Sequence, residues 1–343
     1  MRADSDLHPI AARVVQLLRV TGRQMRKRRG LESTFYPACT DLTLDAWDPA
    51  RFPGVAYGQS ASDLIYDELA AARPSMICRI GTVELYCMAA TSTELTWGNA
   101  FKLAAGDDLV RDIGMHQGLL RGLCANAGFF PASVPLGRRF VELMCEDLKD
   151  VDVLGTWCKQ EVVFRDLLAP ARKVRFRDLE PYMHDKPWSR VLAGQRVLVV
   201  HPFAETIASQ FKRRAKLFSN PDVLPEFELQ TIKAVQSIAN TKTNFETWFD
   251  ALDHMKAQMA ATDFDVAIIG CGAYGLPLTA HAKRLGKKGV HLGGQTQLLF
   301  GIKGKRWETG HDEIARHFNE HWVYPAEEDR PKDFRVVEGG AYW

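Results

Sequence analysis

An excess of charge of either sign is missing from this 343-residue sequence: 44 Lys and Arg stand against 42 Asp and Glu, leaving a formal charge of +2. A nucleic-acid backbone is gripped by concentrated cations that acids do not balance, so no nucleic-acid partner is expected. Close cysteine pairs are missing too. Cys39, Cys78, Cys87, Cys124, Cys145, Cys158 and Cys271 contain no CxxC, the spacing that gathers thiolates round zinc. They read as buried thiols of a reducing compartment. No apolar stretch approaches the roughly 20 residues of a membrane span, and the N-terminus has no apolar signal-peptide core. A cytoplasmic protein is expected. Internal repeats and low-complexity tracts are likewise absent.

What is present is a globular composition, 46% apolar and 25% charged, with enough apolar residues for a large core. The length suits one elaborated α/β domain behind an N-terminal extension. Residues 1–55 are assigned to that extension, which ends in the loop-like Asp48-Pro49-Ala50-Arg51-Phe52-Pro53-Gly54. Residues 56–325 are assigned to the α/β domain and 326–343 to a C-terminal tail. Within the extension, Val14, Val15, Leu17, Leu18 and Val20 precede the cations Arg23, Arg26, Lys27, Arg28 and Arg29. A helix of this kind can lie on an anionic membrane, so peripheral membrane contact is one expectation. A solvated helix whose cations complement its C-terminal dipole is the other.

Helical spacing of Leu64, Ile65, Leu69 and Ala72 predicts a helix over Ser62–Ala72, closed by Pro74 before the apolar strand Met76–Ile80. Gly81 and Thr82 turn the chain into a second helix, Val83 to Ala90. Residues 100–146 read as mainly helical, and Val151–Gly155 as a short strand. Further strands are predicted at Arg196–Val200, Glu228–Ser237, Asp265–Ile269 and Gly289–Leu292, with helices at Ala204–Phe218, Phe245–Ala260 and after Gly275 as far as Leu285. Strands alternating with helices imply an α/β fold with a mostly parallel, Rossmann-like sheet covered by helices, behind a helical extension.

The sharpest local signal is Gly270-Cys271-Gly272-Ala273-Tyr274-Gly275, a GxGxxG between a strand and a helix. Its glycines permit a tight turn and let backbone N–H groups approach a pyrophosphate at a helix N-terminus. The alternative is that they serve only tight packing. A dinucleotide site would also want an acid at the end of the next strand, where Gly293-Gly294-Gln295 stands instead. Only about 50 residues follow Leu292, too few for the remaining strands of a dinucleotide fold read forward. Downstream, Lys303, Lys305 and Arg306 are placed to neutralise a diphosphate, and Trp307 to stack on a base or sugar. Gly270, Gly272, Tyr274, Gly275, Gly293, Gly294 and Gln295 complete this expected phosphate and ligand site.

Arg79-Ile80-Gly81-Thr82-Val83-Glu84 after a strand, with a glycine-rich segment much later, resembles the GT-D type of bacterial glycosyltransferase and its GT-D-like relatives. The resemblance spans Ser62 to Trp307 and rests on short motifs. The family pattern reads Arg-Phe-Gly-Asp-Gly-Glu, with its Asp-x-Glu pair implicated in the metal and nucleotide-sugar site. Arg79, Gly81 and Glu84 match, whereas Thr82 replaces the Asp and Val83 the second Gly. The resemblance implies a manganese or magnesium ion, with Glu84 the one carried-over carboxylate ligand and Thr82 offering only a hydroxyl. It also implies a nucleotide-sugar donor, a UDP-sugar being favoured, a glycan or lipid-linked acceptor, and a role in bacterial surface-glycan assembly.

Glu84 is alternatively a general base, a partner of Arg79 or a helix N-terminal acid. His201 and Glu205 flank another strand end and suit acid–base chemistry, with a structural His as the plainer reading. Trp157 and Glu161 follow a third strand end, while His281 lies too far along its helix to touch a phosphate. The expected function is sugar transfer from a nucleotide-sugar to an acceptor hydroxyl. An NAD(P)-dependent oxidoreductase and a non-catalytic nucleotide-sugar-binding protein are the alternatives.

Overall fold

The unbroken apolar runs Met76-Ile77-Cys78, Val197-Leu198-Val199-Val200 and Val266-Ala267-Ile268-Ile269 form strands buried on both faces, as a parallel sheet between two helical layers requires. The computed structural model describes residues 7–28, 52–107, 109–308 and 312–343. Its strands are β1 (Val55–Ala56), β2 (Ser75–Cys78), β3 (Val153–Thr156), β4 (Arg172–Arg175), β5 (Arg196–His201), β6 (Glu228–Lys233), β7 (Val266–Ile269) and β8 (Lys288–His291). All pair in parallel in one sheet of order β1-β4-β3-β2-β8-β7-β5-β6. The chain is an α/β protein of Rossmann-like architecture.

The helices are α1 (Pro9–Arg28), α2 (Gln59–Ala70), α3 (Thr82–Ser92), α4 (Trp97–Ala105), α5 (Gln117–Ala127) and α6 (Val134–Leu148). They continue with α7 (Ala204–Phe211), α8 (Trp248–Ala260), α9 (Gly275–Arg284) and the short α10 (Gln295–Leu299) and α11 (Asp312–Ala315). One sheet face is covered by α3, α5, α6, α8 and α9, packed round Phe140, Trp248, Met255 and Leu278. On the other face lie α2, α7, α10 and the C-terminal segment, round Ile65, Ile207, Leu298 and Trp307.

From β5 the chain crosses outward through α7 to β6, and from β7 it crosses the other way through α9 to β8. With α7 and α9 on opposite faces, the carboxyl ends of β5 and β7 flank a topological switch point, where open sheets bind ligands. This arrangement corrects one sequence argument. The strands that a forward reading seeks after Leu292 come from earlier chain: β2 lies beyond β8, and β5 and β6 lie beyond β7. Lateness of the glycine motif therefore does not count against a dinucleotide-type crevice.

Three differences from expectation have local causes. Strand β4 was not expected, because three of its four residues are basic; Arg172 pairs with buried Glu68 and Arg175 with buried Asp178. Helix α7 stops at Phe211 rather than Phe218, beyond which the chain turns so that Leu217 is buried and its carbonyl accepts from Trp322 Nε1 at 2.9 Å. The C-terminal segment is not loose: Ala341 O accepts from Arg306 N at 3.0 Å and Tyr342 O from Gln297 Nε2 at 3.1 Å. The boundary expected at residue 55 falls within β1, and the preceding Asp48 to Arg51, with Arg29 and Cys39, lies outside the described residues. Among the described residues no helix is long and apolar enough to cross a membrane.

Candidate functional site

Loops following seven strands, β2 to β8, converge on one cavity of about 400 Å³ at the carboxyl edge of the sheet. Arg79 to Glu84 reach it from β2, Trp157 from β3, Phe176 and Arg177 from β4, and His201 from β5. Val235 to Ile238 enter from β6, Gly270 to Tyr274 from β7, and His291 to Gln297 from β8. Volume and position are those of a small-molecule site.

Arg79 leaves β2 with its guanidinium carbon 4.4 Å from the Trp157 ring centroid and 4.9 Å from that of Phe176. Those rings are themselves stacked at 4.6 Å, and Trp157 Nε1 donates to Ile80 O at 3.0 Å, so the cation rests on a fixed aromatic platform. Gly81 has a steric reason: a Cβ there would overlap the Glu84 carboxylate, which folds back over the start of α3. Burial pushes the Glu84 pKa up, against the opposing pull of its own backbone N–H and of Arg79. A carboxyl poised in this way is closer to the acid–base range than a solvated glutamate. Thr82 lines the cavity from the first turn of α3.

The three glycines of GxGxxG are explained by protein neighbours. A Cβ on Gly270 would meet Gly293 O at 2.5 Å, and one on Gly275 would overlap the His291 ring. Gly272 adopts φ +60°, and its Cβ would stand 2.6 Å from Ala127 O at the end of α5. Close packing thus accounts for the motif, while the turn it forms still borders the cavity beside Tyr274, whose hydroxyl bonds Ser237 at 3.1 Å. Gly293, beside Gly270, and Gly294 also line the cavity, with Gly294 against the Tyr342 ring.

Two buried histidines take opposite tautomers. His201 Nδ1 accepts from Phe203 N at 3.0 Å, which leaves the proton on Nε2, and burial lowers its pKa to about 3. At neutral pH it is an uncharged hydrogen-bond donor rather than the acid or base expected of it. His291 Nδ1 lies 3.1 Å from Ile269 O and must donate to that carbonyl, which leaves Nε2 as an acceptor. Burial, with Arg79 adding to it, lowers the His291 pKa to about 4. Sequence reading missed His291; its place at the end of β8, where an acid was sought, was the available signal.

Gln295 is buried at the cavity wall, and its amide oxygen has no hydrogen-bond partner among the described residues. Since an unmet buried amide costs about 1–3 kcal/mol, a polar ligand group would relieve it. Arg306 lines the cavity beside Trp307, held by an ion pair with Glu338 and lying 4.9 Å from the Tyr342 ring centroid. Glu338, Tyr342 and Trp343 bring the C-terminal segment into the site, which sequence reading did not foresee because a polar, glycine-containing tail carries no periodic signal. Four expected residues are not brought to the cavity: Gly275 lies behind the turn, against the His291 ring, and the other three are Lys303, Lys305 and Glu205. Lys303 stacks on Tyr324, Lys305 reaches towards Gly339 O, and exposed Glu205 pairs with Lys233 at 3.6 Å. Glu161 caps its own turn, accepting from Trp157 N and Cys158 N at 3.1 Å, and His281 bonds Lys256 O.

The carboxylates that line the cavity are Glu84, folded onto its helix, and Glu338, paired with Arg306. Among the described residues no group of three or more His, Cys, Asp or Glu is placed to hold a metal. This donor set does not fit a hard divalent cation, which prefers several free oxygens. The six described cysteines are free thiols; burial raises the pKa of Cys271, which borders the cavity, so it stays protonated. Comparisons with family models, with curated proteins and with solved structures found no match.

Proposed function

We propose that the cavity binds a nucleotide-diphosphate sugar and that the chain transfers the sugar to an acceptor hydroxyl. One observation carries this reading: a single cleft at the switch point combines the cations Arg79 and Arg306 with the rings of Trp157, Phe176, Trp307 and Tyr342 and the raised carboxyl of Glu84. Arginine hydrogen bonds suit diphosphate oxygens, and aromatic faces suit a base or a sugar. In the proposed step the acceptor oxygen bonds to the anomeric carbon as the bond from that carbon to the diphosphate breaks. The acceptor proton passes to Glu84, and the leaving charge is met by the arginines and the Nε2–H of His201. Gln295 would read a polar edge of the ligand.

The test is calorimetric titration of the full chain with UDP, UDP-sugars and other nucleotide-sugars, with and without manganese. Binding is expected, weakened about tenfold or more by Arg79→Ala, since a hydrogen bond to a charged group is worth about 1.5–3 kcal/mol. Absence of binding by every nucleotide-sugar would overturn the proposal.

A second reading, a nicotinamide-dependent oxidoreductase, is favoured by the position of the glycine turn in the crevice between β7 and β5. It lacks the ribose-binding acid, because β8 ends at His291 and Leu292-Gly293-Gly294 follow. The same titration separates the two: tight binding of NAD or NADP, with no response to nucleotide-sugars, would select this one. Nucleotide-sugar binding without turnover, unaltered by Glu84→Gln, would instead indicate a binding protein.

A further inference from the structure

Two helices outside the sheet leave apolar side chains in solvent. Helix α1 packs on α4, with Val15, Leu103, Val110 and Ile113 between them and the Gly22 backbone against the Leu103 carbonyl. The face of α1 opposite Val15 carries Ile10, Val14 and Leu17 at helical spacing, with Ile10 69% and Leu17 67% exposed. On α4, Trp97 and Phe101 stand one turn apart and are 94% and 75% exposed. Neither aromatic serves the core, and neither reaches the cavity.

The charge on this pair is one-sided. Neither helix contains an Asp or Glu. Arg13, Arg23, Lys27 and Arg28 of α1 and Lys102 of α4 are exposed, against the one exposed acid Glu94 just before α4, whereas Arg19 is already paired with Asp112. A protein partner of ordinary composition would need only the apolar part. Apolar side chains led by a tryptophan, on two helices with an excess of exposed cations, match an anionic lipid surface, where tryptophan favours the headgroup boundary and lysine and arginine meet phosphates.

We infer that the α1–α4 pair docks the protein peripherally on an anionic membrane, with Trp97 and Phe101 inserted at the interface. This stands apart from the chemistry proposed for the cavity. The test is co-sedimentation of the full chain with phosphatidylcholine vesicles and with vesicles containing phosphatidylglycerol, at low and high salt. Binding to the anionic vesicles is expected to exceed that to neutral ones by about tenfold or more and to fall as salt rises. Trp97→Ser combined with Phe101→Ser should abolish it while leaving the melting temperature unchanged, because both side chains are exposed. Arg23→Gln combined with Lys27→Gln should weaken the anionic preference alone. Equal affinity for both vesicle types, or binding untouched by the double serine variant, would overturn the inference. So would self-association without lipid that the same variant abolishes, since the surface would then join two copies of this chain.

Discussion

Glu84 and the histidines show how position sets chemistry. A glutamate at the third residue of a helix is ordinarily a solvated N-terminal acid, but here burial raises its pKa and Gly81 gives its carboxylate room to fold back. If it is the proposed base, Glu84→Gln should leave nucleotide-sugar affinity within about twofold while lowering turnover by roughly 10²–10⁴, as single-turnover kinetics would read. His201 has a second consequence. Its folded pKa of about 3 lies below the ordinary 6.5, so its contribution to stability is complete above pH 6.5 and is lost as pH falls towards 3. Relative to His201→Asn, which keeps an acceptor for Phe203 N, the parent should lose roughly 2 kcal/mol between pH 6.5 and about pH 5 in urea unfolding. Parallel pH profiles for the two proteins would contradict this. Gly275 makes a comparable point about packing. Gly275→Ala should cost roughly 1–3 kcal/mol by forcing the His291 ring aside. A glycine kept only for a ligand would instead lose binding at unchanged stability.

Among the elements, those with an unbroken apolar run or a clear helical period were legible. Strands β2, β5 and β7 and helices α2, α8 and α9 lie within a few residues of their expected spans, because burial on both faces or along one stripe writes itself into composition. Strand β4 was not legible, since Arg172 and Arg175 serve partners distant or local that a propensity reading cannot see. Glu68 of α2 takes both Arg73 and Arg172, tying the helix to the sheet with a buried carboxylate and two half-exposed cations. Replacing it by Gln should therefore cost about 1–2 kcal/mol, discounted from the larger cost of breaking a fully buried pair, and a lowered urea midpoint would register it. The motif residues Arg79, Gly81, Glu84, Gly270, Gly272 and Trp307 were found from sequence and do meet at one cavity. Lys303 and Lys305 were not distinguishable from Arg306 by spacing, because only the path of the segment decides which cation turns inward.

At the scale of the whole molecule, the site depends on a strand order that the chain order conceals. The glycine turn of β7 meets β5 and β2 only because the last strands enter the middle of the sheet, and Glu338, Tyr342 and Trp343 then return to wall the cavity. Trp343 is buried against Phe203 and Phe334, and its Nε1 donates to Asp329 O at 3.1 Å. Trp343→Ala should thus lower the melting temperature and weaken ligand binding together, whereas a tail without a role in the site would change neither. The function proposed above puts a nucleotide-diphosphate sugar in this cleft with its phosphates on Arg79 and Arg306. Calorimetric titration of the parent chain, Arg79→Ala and Arg306→Ala with UDP-sugars and other nucleotide-sugars tests it most directly. Saturable binding by the parent, weakened about tenfold or more in both variants, is expected; no binding, or binding indifferent to both arginines, would rule this occupant out.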